Sequence, residues 1–304
     1  MARQFVPKNQ GPAVIKAMSS NVLSDQYRDS ITIAYQYLDS VVASTAFTFA
    51  GRTFDTPIMV GPVGGYERQE NGALGFAKAI QEAGSVFWSH FHNADDWYEA
   101  LAAGVPGVHV IKPLKDNDQV IECIKKDTEA GALAYAMDID HGINPYGELD
   151  VHMMEFAPKT AAEIRAFSDA SPLPFYLKGV LSAHDARIAA EAGAAGIVLS
   201  GHNNRYPCAV PPLKLLPEIE KEFGGDLQIF IDGGFTNGYD AFKALALGAD
   251  GVLCARVISG AYLKDGPEGL TDKILEMTAE LKGAMGNTGS PDLQHLNRQS
   301  VILP

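Results

Sequence analysis

Short apolar runs alternate along this chain with longer stretches in which apolar positions recur three and four apart, the respective marks of strand and helix. The runs FYLKGV, GIVLSGHNNR, IFIDGG and GVLCAR are the clearest strands, each closing on glycine or a polar residue. Two segments, LSAHDARIAAEAGAAGIVLS and FTNGYDAFKALALGADGVLCA, repeat one plan: a turn, an alanine-rich amphipathic helix, an Ala-Gly or Leu-Gly stop, then an apolar strand. The same unit, counted backwards, places strands at 57–62, 85–89, 107–111, 133–139, 174–178, 196–200, 228–232 and 251–255. Helices fall between them at 70–83, 94–103, 117–130, 160–169, 183–192, 213–223 and 238–247, with a last one near 267–285. This alternation predicts a closed parallel (β/α)8 TIM barrel. The alternative is an open doubly wound sheet, but no G-x-G-x-x-G follows any of the strands.

Residues 1–50 read as a short N-terminal helical extension, with a helix near 11–28, and 51–304 as the barrel, a single domain overall. The polar, hairpin-like stretch FTFAGRTFD is suited to plug the bottom of the barrel, and the tail after Gly286 reads as loop.

Composition narrows the class. Three widely spaced cysteines, Cys123, Cys208 and Cys254, fit neither a disulfide framework nor a metal knuckle and point to a reduced cytoplasm. No leader pattern and no membrane-length apolar run is present, so a soluble, cytoplasmic protein is expected. A net charge of −13 disfavours nucleic acid and anionic membrane as partners. An anionic small molecule then needs a local cluster of cations.

Such a cluster follows from the fold. The carboxyl ends of barrel strands open on one face, which brings Lys178, Ser200, His202, Asp232 and Arg256 together. Gly233 and Gly234 after the seventh strand and Arg256 after the eighth suit a phosphate, since backbone N–H groups without a Cβ approach an anion closely. The bland alternative is an Asp232–Arg256 pair that closes the barrel end. Lys178 suits either a Schiff base, as in aldolases, or a fixed charge against an anionic cofactor. His202 and Arg205, three apart in SGHNNR, suit a general base beside a carboxylate clamp, and Asp140 on a nearby strand end suits an orienting carboxylate. Asp138 lies two residues before Asp140, on the same face if the strand continues. His90, His92, His109, His141 and His152 form no compact ligand motif, so no metal is expected. Trp88 and Trp97 read as packing residues.

The residues KGVLSAHDARIAAEAGAAGIVLSGHNNR, LLPEI and IDGGFTNGYDAFKALALGADGVLCAR resemble the FMN-dependent α-hydroxy-acid oxidases and dehydrogenases, the lactate oxidase and glycolate oxidase group. The likeness is continuous from about Pro174 to Leu281 and followable through GRTFDTPIMVGPVGG to Asp140. It implies a barrel with FMN at its mouth and a homo-oligomer, often a tetramer. It also implies that Lys178 faces the flavin N1 and C2 carbonyl, that Ser200 contacts the ring or ribityl chain, and that Asp232 meets the ribityl hydroxyls. Gly233, Gly234 and Arg256 would take the phosphate, Pro62, Val63 and Gly64 the flavin edge, and Ser89 the pyrimidine ring. His202 would be the base with Asp140 as its partner, and Arg205 would hold the substrate carboxylate.

The departures from the family pattern matter as much. Gly201, Asn203 and Asn204 alter the loop around His202; the arginine of the family's D-G-G-x-R is Thr236; and the glycine before the last arginine is Ala255. A family glutamine and tyrosine on the third strand fall at His109 and Ile111, and a threonine on the fourth at Asp138, whose charge would either lower the flavin's reduction potential or be offset by His109. The second carboxylate-clamping arginine is absent from HGINPYGELD, which reads as a short loop. The leading expectation is an FMN oxidoreductase acting on a 2-hydroxy acid or related hydroxylated small molecule. The alternatives are an FMN-binding barrel without that oxidation, either a non-redox isomerase or a binding protein, and a Lys178 Schiff-base aldolase.

Overall fold

The computed structural model describes residues 19–66, 69, 72–89, 94–150 and 154–304. Eight strands close into one barrel: β1 (Ile58–Val60), β2 (Phe87–Ser89), β3 (Gly107–Ile111), β4 (Ala134–Asp138), β5 (Phe175–Val180), β6 (Gly196–Leu199), β7 (Gln228–Ile231) and β8 (Gly251–Cys254). Each pairs in parallel with its sequence neighbours, and β8 returns to β1. Helices Gly72–Glu82, Ala94–Ala102, Asn117–Glu129, Ala161–Asp169, Ala183–Glu191, Pro212–Phe223 and Gly238–Ala246 fill the intervals, and Arg256–Gly286 follows β8. The predicted TIM barrel is the observed one.

Side-chain alternation divides the core in two. Met59, Trp88, Val110, Ala136, Tyr176, Val198, Phe230 and Leu253 pack together inside the barrel. Their strand neighbours, among them Val60, Phe87, Ile111, Met137, Leu177, Leu199, Ile231 and Cys254, belong to the larger cluster shared with the helices. This is the period of two imposed by the pleat, with both faces of every strand buried. It explains why the strands read as unbroken apolar runs.

The N-terminal segment serves both ends of the barrel. Phe47–Phe49 and Arg52–Phe54 form the expected hairpin, and Phe49, fully buried, sets its ring 5.6 Å from Phe230, 5.7 Å from Tyr176 and 6.1 Å from Trp88. That hairpin closes the floor. Helix Ser20–Ser30 lies across the mouth instead, where Ser20 N–H donates to Asn204 Oδ1 at 2.6 Å and Asn21 Nδ2 to Asn203 Oδ1 at 2.9 Å. The first part of the predicted 11–28 helix lies outside the described residues, as do His90, His92 and His152.

Two connections differ from expectation. The last helix starts at Arg256, directly after β8, and breaks at Gly266 (φ 68°) before Pro267. Its first turns were hidden by the Gly-Pro that follows. The link from β4 to helix Ala161–Asp169 is a long flap, with bridges Ile143 to Leu149 and Leu114 to Phe156.

Candidate active site

The inward positions at the carboxyl ends of β3 to β7 form a contiguous polar ring above the apolar interior. Lys112, one residue past β3, sets Nζ 2.6 Å from Asp138 Oδ2. Asp138 Oδ1 lies 3.2 Å from Lys178 Nζ, which in turn lies 3.4 Å from Ser200 Oγ and 3.5 Å from Asp232 Oδ2. Ser200 Oγ donates to Asp232 at 2.8 Å and closes the chain. Burial works against the charge on Lys178, but Asp138, Asp232 and Asp140 outweigh it and hold the ammonium above its ordinary range. Burial likewise opposes ionisation of Asp138, and Lys178, Lys112 and His202 overcome that, keeping it well below the usual carboxylate range. Paired with Asp138 and Asp232, Lys178 is held as an ammonium rather than the neutral amine a Schiff base requires, which counts against the aldolase reading.

Beside the ring stands a histidine–carboxylate pair. His202 Nδ1 lies 2.9 Å from Asp140 Oδ2 and 3.1 Å from Oδ1; a carboxylate only accepts, so Nδ1 donates to it. Burial raises Asp140, and the hydrogen bond and charge of His202 bring it below its ordinary value. Asp140 sits in the short 3-10 turn Ile139–His141 rather than on the strand, and packs directly over Gly179. Gly179 has φ 95°, and a Cβ there would fall 2.7 Å from Asp140 Cγ. His202, Asn203 and Asn204 form a run with φ of 45°, 53° and 67°. Three successive left-handed non-glycine residues store strain in the loop that presents the imidazole.

A second histidine, not singled out from sequence, faces the first. His141 Nε2 lies 3.4 Å from His202 Nε2 and accepts from Lys112 Nζ at 3.2 Å, while its Nδ1 donates to Asp150 at 3.1 Å. Burial first, then the charges of Lys112 and His202, push His141 down to about 4, so it is neutral near pH 7. Asp138, His141 and His202 have the spacing of a metal-ligand set, within 4.8 Å, but the Lys112 ammonium already bonds two of the three.

A cleft of about 670 Å³ runs from His202 and Lys178 to the loops after β7 and β8, with Pro62, Val63, Gly64, Asp232 and Ala255 along it. At its far end Gly233 and Gly234 adopt φ of 133° and 86°. Arg256 is exposed there at the first helical position, its guanidinium without a partner among the described residues. Asp232 pairs with Lys178 and Ser200, not with Arg256, so the bland alternative of a barrel-closing pair fails.

Several expected site residues stand elsewhere. His109 faces the helices, its Nδ1 2.7 Å from Asp127 and its ring 5.3 Å from that of Trp97. Ser89 is in register with His109 and therefore shares its outward side, buried with Oγ unbonded among the described residues. Ile111 is outward as well. The inward pair on β3 is Val110 and Lys112, one residue off the expected His109 and Ile111, and a slip of one exchanges the faces of a strand. The charge of Asp138 is therefore balanced by Lys112 and Lys178, not by His109. Arg205 is turned away from the cleft: Nε donates to Asp140 O at 2.6 Å, and Nη2 pairs with Asp150 at 2.5 Å.

A parallel barrel with an anion cradle after β7 and β8, a caged lysine at β5 and a histidine–carboxylate pair at its mouth defines an enzyme built around a phosphorylated cofactor. Residues 20–163 and 148–303 match the FMN-dependent dehydrogenase family, and the chain belongs to it. It is 28% identical over 302 residues to 4-hydroxymandelate oxidase of Amycolatopsis orientalis, spanning 87% of this chain and 84% of that protein. Against glycolate oxidase 3 of Arabidopsis thaliana the identity is 28% over 297 residues, spanning 84% and 79%. A solved mandelate oxidase mutant with an FMN adduct superposes with a TM-score of 0.85 at 27% identity, covering 94% of this chain and 92% of that one. The protein is an FMN-dependent oxidoreductase, and the cleft's donors fit an anionic, phosphorylated cofactor: Gly233, Gly234 and Arg256 stand at one end and the buried ammonium of Lys178 at the other. No helix among the described residues is long and apolar enough to cross a membrane.

Proposed function

We propose that this chain oxidises a 2-hydroxy acid to the 2-oxo acid, with His202 as the base and Asp140 as its orienting partner. The observation that carries the reading is the Asp140–His202 pair at 2.9 Å on the rim of the cleft that also holds Lys178 and Arg256. His202 receives a proton at Nε2, the nitrogen that does not face Asp140, and the Asp140 carboxylate offsets the resulting imidazolium charge. FMN, when bound, would take up the two electrons and the second hydrogen. Lys178 would supply positive charge to it, Ser200 and Asp232 would offer polar contacts along the cleft, and Pro62, Val63, Gly64 and Ala255 would wall it. Arg205 holds the substrate carboxylate once its guanidinium leaves Asp150 and turns toward the cleft. The relatives' names, glycolate oxidase and 4-hydroxymandelate oxidase, support the substrate class. The reading extends to a cytoplasmic homo-oligomer, a tetramer on the family pattern, which light scattering of the purified protein checks for assembly.

The deciding experiment mixes the FMN-loaded protein anaerobically with glycolate, lactate and mandelate while the flavin absorbance is followed. Bleaching by at least one of them, slowed about a hundred- to ten-thousand-fold in His202→Ala with FMN retained, is expected. Yellow protein that no 2-hydroxy acid bleaches would sink the proposal and leave the non-redox isomerase or binding-protein reading.

A further inference from the structure

Thr236 stands where the resemblance noted above expects an arginine, which leaves Arg256 as the one cation supplied by the loops after β7 and β8. A second guanidinium nevertheless reaches the same spot from outside the barrel. Arg28, on the last turn of helix Ser20–Ser30, lines the cleft with Gly234, Thr236 and Arg256, and its side chain is only 9% exposed. Its Nη1 donates to Gly234 O at 2.7 Å and approaches Gly233 O at 3.3 Å, so it grips the two-glycine turn itself. The position a Cβ on Gly234 would occupy lies 3.1 Å from Arg28 Nη1 and 3.4 Å from Arg256 Nη2, so the two guanidinium groups flank one point. Glycine at 234 keeps that point clear.

We propose that Arg28 supplies the second positive charge of the FMN phosphate subsite, from the N-terminal helix, in place of the arginine missing at Thr236. The inference rests on FMN filling this cleft.

The carboxylates around Arg28 are compatible with this role. Asp240, 7% exposed, lies 3.3 Å from Arg28 Nε but is shared with Lys243 at 3.6 Å, so it does not cancel Arg28 alone. Asp25 at 2.9 Å and Asp29 at 3.3 Å have side chains 47% and 71% exposed, and both can turn into water when a dianion arrives. Asp25 also lies 3.0 Å from the same point beside Gly234, so it is the group a phosphate displaces. Asparagine in its place should tighten FMN. A consequence is that the helix over the mouth becomes part of the cofactor site, so cofactor binding and docking of residues 20–30 reinforce each other.

The test is a pair of titrations, FMN and riboflavin, each followed by quenching of flavin fluorescence, on apoprotein of the wild type, Arg28→Met, Arg28→Lys and the double variant Arg28→Met with Thr236→Arg. Riboflavin lacks only the phosphate. The expected result is that Arg28→Met weakens FMN about ten- to a hundredfold and leaves riboflavin within about twofold. Arg28→Lys should keep most of the affinity, and Thr236→Arg should restore FMN binding to the methionine variant. Equal loss for both flavins, no loss for either, or no rescue by Thr236→Arg would each overturn the proposal. A wild type that binds neither flavin would instead count against the cofactor assignment itself.

Discussion

At the residue scale the reaction depends on small groups holding larger ones in place. Gly179 is the clearest case, because Asp140 occupies the space a side chain there would need. Gly179→Ala is expected to displace Asp140 and lower kcat at least about tenfold, while the FMN dissociation constant stays within about twofold. A fall in FMN affinity of the same size would mean the whole mouth had shifted. Asp150 is the second case. It holds Arg205 and bonds His141, so a substrate carboxylate has to compete with it. Asp150→Asn should therefore lower KM for the 2-hydroxy acid about three- to tenfold, and an unchanged or higher KM would place the carboxylate elsewhere. His141 adds a pH dependence. Its folded value of about 4 lies below the ordinary 6.5, so between these pH values the unfolded chain binds a proton that the folded chain does not. Stability falls as pH falls through that window, and denaturant titrations of His141→Gln should show a flatter profile there.

At the element scale, one buried cluster ties β3 to two helices. Asp127, fully buried on helix Asn117–Glu129, accepts from Trp97 Nε1 at 2.8 Å and from His109 Nδ1 at 2.7 Å. Burial opposes charge on His109, but the hydrogen bonds to Asp127 and Cys123 and the charge of Asp127 outweigh it and raise His109 to about 10. With the folded value raised, the contribution is complete below pH 6.5 and is lost as pH climbs through about 10. Asp127→Asn should cost about 3 kcal/mol at pH 7 by denaturant unfolding and flatten that alkaline slope. This cluster also explains a misplacement from sequence. A histidine on an apolar strand shows its alternation only once the register is known, and a run buried on both faces carries no polar marker of its inner side. The floor hairpin was legible because its alternation is flanked by a turn. The mouth-crossing helix was legible as a helix, but nothing local says which end of the barrel it covers.

At the scale of the whole molecule, the ring at the mouth is a charge balance assembled from five strands. Lys112 and Lys178 face Asp138 and Asp232, so the ring is internally neutral inside a chain of net charge −13. Lys112→Met should leave Asp138 under-compensated near the flavin. The flavin reduction potential is then expected to fall on the order of tens of millivolts, read by redox titration with a reference dye. An unchanged potential would mean that Lys178 alone sets the field.

The sequence by itself determined the barrel, the strand ends that carry chemistry, and the candidates Lys178, Ser200, His202, Asp232 and Arg256, because hydrophobic period and turn chemistry are local properties. It also carried the family likeness. Only the tertiary structure decided which side of β3 faces the mouth, that Lys112 and His141 join the site, that Arg205 is held by Asp150, and that Arg28 reaches the glycine cradle. Each of those contacts joins residues far apart in sequence or on opposite faces of a strand. Their geometry is set by how the barrel closes, and no local pattern encodes that closure.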